Sequence, residues 1–194
     1  MKQRPTMTHV AAIAADDDRV DAQALLARAA EMAHALDMRV AGVLAEHHGL
    51  PDRSCAAGTL RDIASGRGHT IYLPVAPSGT SCHLDPAGVE AACAEVLDRL
   101  EGVDLVILSK FGKLEAAGSG LFRAFEAAVA MGKPVLTSVS GRHRDAFCGF
   151  APEAAFLAAD EAAIMRWLRS TIAGPSAKAE GPARSFTRQP GPAG

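Results

Sequence analysis

The chain has 194 residues, 48% of them hydrophobic and 22% charged, enough apolar surface for a packed core and too much for an intrinsically disordered chain. Lysine plus arginine number 20 against 22 acidic residues, a formal net charge of -2, so no overall basic field draws nucleic acid or an anionic membrane, and neither is an expected partner. No apolar stretch approaches the roughly 20 residues that cross a bilayer, and the opening MKQRPTMTHV lacks the apolar block of a secretory signal, so the expected location is the cytoplasm.

In chain order, the short apolar run His9 to Ala15 reads as a buried strand, followed by the acidic turn Asp16-Asp17-Asp18-Arg19. From Val20 to Leu36 the apolar positions Leu25, Ala29, Met32 and Leu36 recur at helical spacing among good helix formers. The three acids suit a helix N-terminus better than a cation site, because consecutive side chains point in different directions. Met38 to Ala45 is a second strand, which makes a β-α-β unit and hence parallel pairing.

Between His47 and Thr80 the pattern loosens around two strand-like pieces, Thr59 to Ile63 and His69 to Leu73, which predict a hairpin. Asp85 is placed to cap a helix that has Pro86 at its first position and runs to about Leu100. Val103 to Leu108 is almost continuously apolar, as a parallel strand covered on both faces should be. A loop from Ser109 to Gly120, a helix from Leu121 to Met131, a buried strand from Pro134 to Val139, a short strand near Ala155 to Ala158 and a helix from Asp160 to Ser170 complete the pattern.

This alternation predicts an α/β fold, a three-layer sandwich with a mostly parallel sheet, in one domain spanning residues 1–173. The polar, Pro/Gly-rich segment 174–194 is expected to be a disordered tail with weak basic character and no motif. Four cysteines, Cys55, Cys82, Cys93 and Cys148, are too few and scattered for a disulfide framework. Cys93 reads as helix filler. Cys55, Cys82 and His83 with His47 and His48 form a loose collection whose spacings match no zinc template, so no metal site is expected. No Ser-His-Asp order or nucleophile elbow is visible.

The segment Leu105-Val-Ile-Leu-Ser-Lys-Phe-Gly-Lys-Leu-Glu115, followed by a helix and by Lys133-Pro-Val-Leu-Thr-Ser-Val139, resembles the second half of the small archaeal and bacterial nucleoside-triphosphatases related to P-loop kinases. There the hydrophobic strand ends in Asp-Glu-Ile-Gly-Lys-Met-Glu-Leu. The order of elements agrees over roughly residues 8–170, including the Val-Ala-Gly-Val-Leu strand and a hairpin excursion ending in Leu-Arg-Asp-Ile-Ala-Ser-Gly66. The chain is similar, more specifically, to an uncharacterised bacterial family that shares a Ser/Asn-Lys-Phe-Gly-Lys-x-Glu motif and is typically encoded near molybdate-transport genes.

What the hydrolase resemblance implies about activity is contradicted by the residues. A phosphate loop needs glycines so that successive N–H groups converge on phosphate oxygens, then a Lys and a Ser/Thr for magnesium. The turn here, Ala14-Ala-Asp-Asp-Asp-Arg-Val-Asp21, has no Gly and no Lys, and its four aspartates repel a triphosphate. Where an acid should hold magnesium at the end of the signature strand, this chain has Ser109-Lys110. The frame thus resembles that of a P-loop nucleotide hydrolase with degenerate motifs.

Ser109, Lys110 and Lys113 put hydroxyl and cationic donors at the carboxyl edge of the sheet, with Arg53 and Ser54 from the second loop and Arg142, beside His143, from the strand that follows. The loop Gly118-Ser-Gly120 offers backbone N–H groups. Such a set suits a small tetrahedral oxyanion bound without metal or cofactor. The gene neighbourhood of the resembling family makes molybdate or tungstate the natural ligand, and molybdenum homeostasis the implied role. Two other readings stay open: a divergent nucleotide-dependent phosphatase or kinase using acids from Asp16 to Asp18, and a ligand-free assembly module whose loop is a homo-oligomer contact. Glu115 reads as a pairing partner of Lys113 or a cap for the next helix, and Gly112, Gly118 and Gly120 as turn residues.

Overall fold

The computed structural model describes residues 9–14, 21–49, 57–79 and 83–173. Among them, seven strands form one sheet in the order β4-β3-β2-β5-β6-β1-β7, with β1 Val10–Ala14, β2 Val40–His47, β3 Ala57–Asp62, β4 Gly68–Thr70, β5 Leu105–Phe111, β6 Val135–Val139 and β7 Ala155–Leu157. β2, β5, β6, β1 and β7 pair in parallel, and β3 and β4 form an antiparallel hairpin on β2. Six α-helices among the described residues cover it: α1 Ala22–Ala35, α2 Pro86–Arg99, α3 Lys113–Ala116, α4 Phe122–Ala130, α5 Arg144–Phe150 and α6 Glu161–Ile172. This is an α/β sandwich with a mostly parallel sheet.

Alternate residues of each central strand feed opposite faces. Ala11 and Ile13 of β1, Leu105 and Ile107 of β5 and Leu136 of β6 pack with Leu26 and Ala29 of α1 and Ile164 and Leu168 of α6. Val10, Ala12, Val106, Leu108 and Val135 pack on the other face with Val96 of α2, Phe125 of α4 and Phe147 of α5. Both faces are buried, which is why these strands read as unbroken apolar runs.

Two glycines mark close approaches. A Cβ on Gly42, at φ +132, would lie 1.8 Å from the Ile107 carbonyl of the paired strand. One on Gly88 of α2 would lie 1.9 Å from the Thr70 carbonyl. The hairpin is tied to α2 by polar contacts as well. Asp62, fully buried, accepts from the backbone N–H and hydroxyl of Ser65, both at 2.7 Å, while Glu95 takes His69 Nε2 at 2.7 Å and Arg99 at 3.1 Å. The hydrogen bond from His69 holds the Glu95 carboxyl below its ordinary range.

The helix starts follow their caps. Asp85 accepts from Ala87 N–H at 3.0 Å with Pro86 behind it. Asp21 caps α1, accepting from Gln23 and Ala24 N–H at 3.0 Å. A helix has one N-cap, and the acid directly before the Ala-rich run takes it. Asp16 to Asp18 and the segment 174–194 lie outside the described residues. Two further departures bear on the site. β5 does not stop at Leu108 but runs to Phe111, and α5 occupies a stretch the sequence pattern does not mark as helical. Among the described residues no helix is long and apolar enough to cross a membrane.

Candidate functional site

The carboxyl end of β5 is irregular. Leu108 pairs with Thr137 of β6, and the next paired residues are Phe111 and Val139, so Ser109 and Lys110 together stand opposite Ser138. That extra residue is a β-bulge. It resets the alternation: Phe111 falls on the same face as Leu108, and Lys110 is turned out to solvent.

Phe111 is buried and sits at the centre of an aromatic cluster, edge-on to Phe125 at 5.5 Å and to Phe147 at 5.2 Å between ring centroids, and stacked on Phe150 at 5.9 Å. Arg144 adds its guanidinium 4.1 Å above Phe156, itself edge-on to Phe147. These rings explain α5. Its sequence lacks a clear helical period, and its burial depends on partners distant in the chain.

Ser109 is only 2% exposed. Its carbonyl accepts from Gln23 Nε2 and from Ser138 Oγ, both at 2.9 Å, and Gln23 Oε1 accepts from Ala45 N–H at 3.2 Å. One side-chain amide thus bridges β2 and β5 just past the last paired residues of their ladder, Val43 and Leu108.

Beyond the bulge, Glu115 is folded back into the turn with 5% exposure. Its carboxylate accepts from Gly112 N–H at 2.9 Å and from Leu121 N–H, at the start of α4, at 3.0 Å. It does cap the coming helix. The N–H groups expected to serve an anion are already engaged: Gly118 with the Glu115 carbonyl at 3.0 Å, Ser119 with the Leu114 carbonyl at 2.9 Å, and Gly120 with Glu90 Oε1 at 2.9 Å. A helix start attracts negative charge, and here Glu90 and Glu115 supply it from within the chain.

The cations remain. Lys110 and Lys113 are exposed at the end of β5 and the start of α3, and Arg142 is exposed on the 3-10 turn Gly141–His143 directly after β6. β5 and β6 are adjacent and parallel, so all three residues belong to the same edge of the sheet. None of the three forms an ion pair with a described residue. That edge also holds a change of side: the helix after β1 packs on one face and the helix after β6 on the other, the arrangement that opens a crevice between neighbouring strand ends. Arg53 and Ser54 lie outside the described residues.

An open groove of about 390 Å³ lies beside this edge, between α1 and the ends of β2 and β3, with Ala24 and Leu44 in its wall and Glu46 and Arg61 on its rim. Hydrogen bonding by Arg61 holds the Glu46 carboxyl below its ordinary range. Tyr72 lies between His48 and His83, with ring centroids 4.8 and 5.5 Å away, and His83 Nδ1 is 2.8 Å from the Leu73 carbonyl, which fixes that nitrogen as the donor. No group of three metal-ligating side chains occurs among the described residues, and Cys55 and Cys82 lie outside them. Cys93 is buried in α2, and burial pushes its thiol up. Gln23 and Ser138 had no signal in the sequence, because their roles arise from a register that only the assembled sheet defines.

Comparison with known proteins adds three findings. A family model described as "Protein of unknown function (DUF2478)" matches residues 10–167. The molybdenum import ATP-binding protein ModC 2 of Bradyrhizobium diazoefficiens is 38% identical over 90 residues, which is 46% of this chain and 10% of that protein. This chain therefore spans a small part of that relative's length. The solution structure of a human cancer-related nucleoside triphosphatase matches with a TM-score of 0.58 at 13% identity, over 84% of this chain and 95% of that one, a likeness of fold.

Proposed function

The chain belongs to the DUF2478 family of proteins of unknown function, and from that premise we propose that it binds a small tetrahedral oxyanion, molybdate or tungstate, without hydrolysing nucleotide. The observation that carries this reading is the set of exposed cations without a carboxylate partner among the described residues, Lys110, Lys113 and Arg142, at and just past the ends of two adjacent parallel strands. Charge-assisted hydrogen bonds from such groups are each worth about 1.5–3 kcal/mol, enough to hold a dianion with no metal. Arg53 and Ser54 complete the proposed ligand set. Ser109 contributes through the backbone it anchors, since its own side chain is covered. The partial likeness to a molybdenum import protein favours molybdate over sulfate, and a part in molybdenum storage, delivery or sensing.

Calorimetric titration of the full chain with molybdate, tungstate, sulfate and magnesium ATP tests the proposal. Molybdate or tungstate should bind, and the double variant Lys110→Ala, Lys113→Ala should weaken binding by at least about tenfold, the loss of roughly 1.4 kcal/mol. Magnesium-dependent ATP binding with no response to molybdate would sink it. A second reading, a divergent nucleotide-dependent phosphatase or kinase, draws on the likeness of fold to a nucleoside triphosphatase. Phosphate release that is abolished by Asp16→Asn or Asp17→Asn would favour it.

A further inference from the structure

We infer that Gln23 and Ser138 are positioning residues that aim Lys110 at the ligand by holding the Ser109 carbonyl inside the β-bulge; this rests on the reading of Lys110 as an oxyanion-binding group. Strict alternation from Leu108 would put residue 110 on the face that carries Val106 and Leu108, against the aromatic cluster, and residue 111 on the opposite face. A lysine there would face buried apolar rings without a partner. The bulge resolves the conflict by adding one residue, so that Phe111 enters the cluster and Lys110 leaves the sheet.

A bulge has its own cost, because residues leave the ladder and their backbone groups lose their regular partners. The Ser109 carbonyl has replaced them with two side-chain donors, Gln23 Nε2 and Ser138 Oγ, each at 2.9 Å. A carbonyl oxygen offers two lone pairs, and both are used. The peptide unit is planar, so fixing this oxygen fixes the plane that also contains the Lys110 nitrogen and Cα, and thereby the direction in which the lysine leaves the strand. The two donors come from different elements. Ser138 is the β6 residue opposite the bulge, and Gln23 belongs to the first turn of α1. Gln23 is anchored in turn, since its oxygen accepts Ala45 N–H of β2. The direction of Lys110 is therefore set jointly by α1, β2, β5 and β6.

The full chain and its Ser138→Ala, Ser138→Thr and Gln23→Leu variants provide the test. Nitrogen-15 spectra without ligand report the Lys110 amide, and titration with sodium molybdate reports affinity. Ser138→Ala and Gln23→Leu should shift the Lys110 amide resonance and weaken molybdate binding by roughly three- to tenfold, about the effect of one lost hydrogen bond. Ser138→Thr, which keeps the hydroxyl, should bind within about twofold of the parent, a rescue that general loosening does not predict. Ser138→Ala retains the Gln23 bond and remains decisive if Gln23→Leu fails to fold. Unchanged Lys110 resonances and affinities in Ser138→Ala, with a parent that binds molybdate, would overturn the inference and leave the binding reading standing. A parent chain silent to molybdate overturns both, and the parent titration alone identifies that case.

Discussion

Replacing Glu115 by glutamine keeps the shape of the side chain and exchanges one of its two acceptor oxygens for a donor. In the native turn each oxygen has one backbone partner, Gly112 N–H at 2.9 Å and Leu121 N–H at 3.0 Å, in a site only 5% exposed. Glutamine can satisfy one of them, and the other N–H then faces an NH2 group in a buried turn. The loss of one charge-assisted bond and the orphaning of one buried donor together cost about 2–4 kcal/mol. Against a total stability of about 5–15 kcal/mol for a domain of ordinary size, Glu115→Gln should stay folded, with a lower urea midpoint and an unchanged slope. Glu115→Ala orphans both donors and should fall at the extreme of single substitutions, about 4–5 kcal/mol. Folded Glu115→Gln should bind molybdate at least as well as the parent, because a negative charge near Lys113 has been removed. A stability within about 1 kcal/mol of the parent would refute the view that this carboxylate braces the turn, and lost binding at parental stability would make it a ligand-contacting group instead.

Phe111→Ala should destabilise by about 3–5 kcal/mol in urea unfolding, and Phe111→Leu by much less, since the ring is the hub of contacts to Phe125, Phe147 and Phe150. Gly42→Ala should yield little folded protein, as judged by circular dichroism of the soluble fraction, because a Cβ would lie 1.8 Å from the Ile107 carbonyl at a φ of +132. Hydrogen bonding by Arg39 holds Asp104 at about 2, so the pair's stabilisation is present above the ordinary carboxyl range and is lost as pH falls from about 4 towards that value. The parent and Asp104→Asn should therefore converge in unfolding free energy at acid pH. The gap at pH 7 should be less than about 1 kcal/mol, because the arginine and aspartate side chains are 68% and 40% exposed.

Much of the frame was legible from local patterns. The crossover from β1 to β2, the start of α2 at Asp85 and Pro86 and the continuous apolar run of β5 all appear where the pattern places them, because each depends on residues adjacent in the chain. The cap of α1 was legible as an acid but not as Asp21 in particular, since four aspartates compete and the helix end decides among them. α5 was hidden because much of its burial is supplied by Phe111, Phe122 and Phe125, which no local window contains. Glu115 was readable as a cap from its spacing to the next helix. The engagement of Gly120 by Glu90 was not, because α2 lies 30 residues earlier.

The bulge and the hidden helix α5 meet at Phe111. Read as a list, Ser109-Lys110-Phe111 looks like the first residues of a loop, since a charge after an apolar run normally marks the end of a strand. In three dimensions the strand continues, because Phe111 has a cluster to enter and the sheet can shed one residue to let it do so. The same step that completes the core places a cation at the carboxyl edge, and it requires a donor for the carbonyl left behind, which Gln23 and Ser138 provide. Packing and the proposed binding are thus coupled through a single peptide plane. A substitution that lets β5 regain regular alternation must turn Lys110 towards the aromatic face, remove Phe111 from it, and lose stability and oxyanion affinity together.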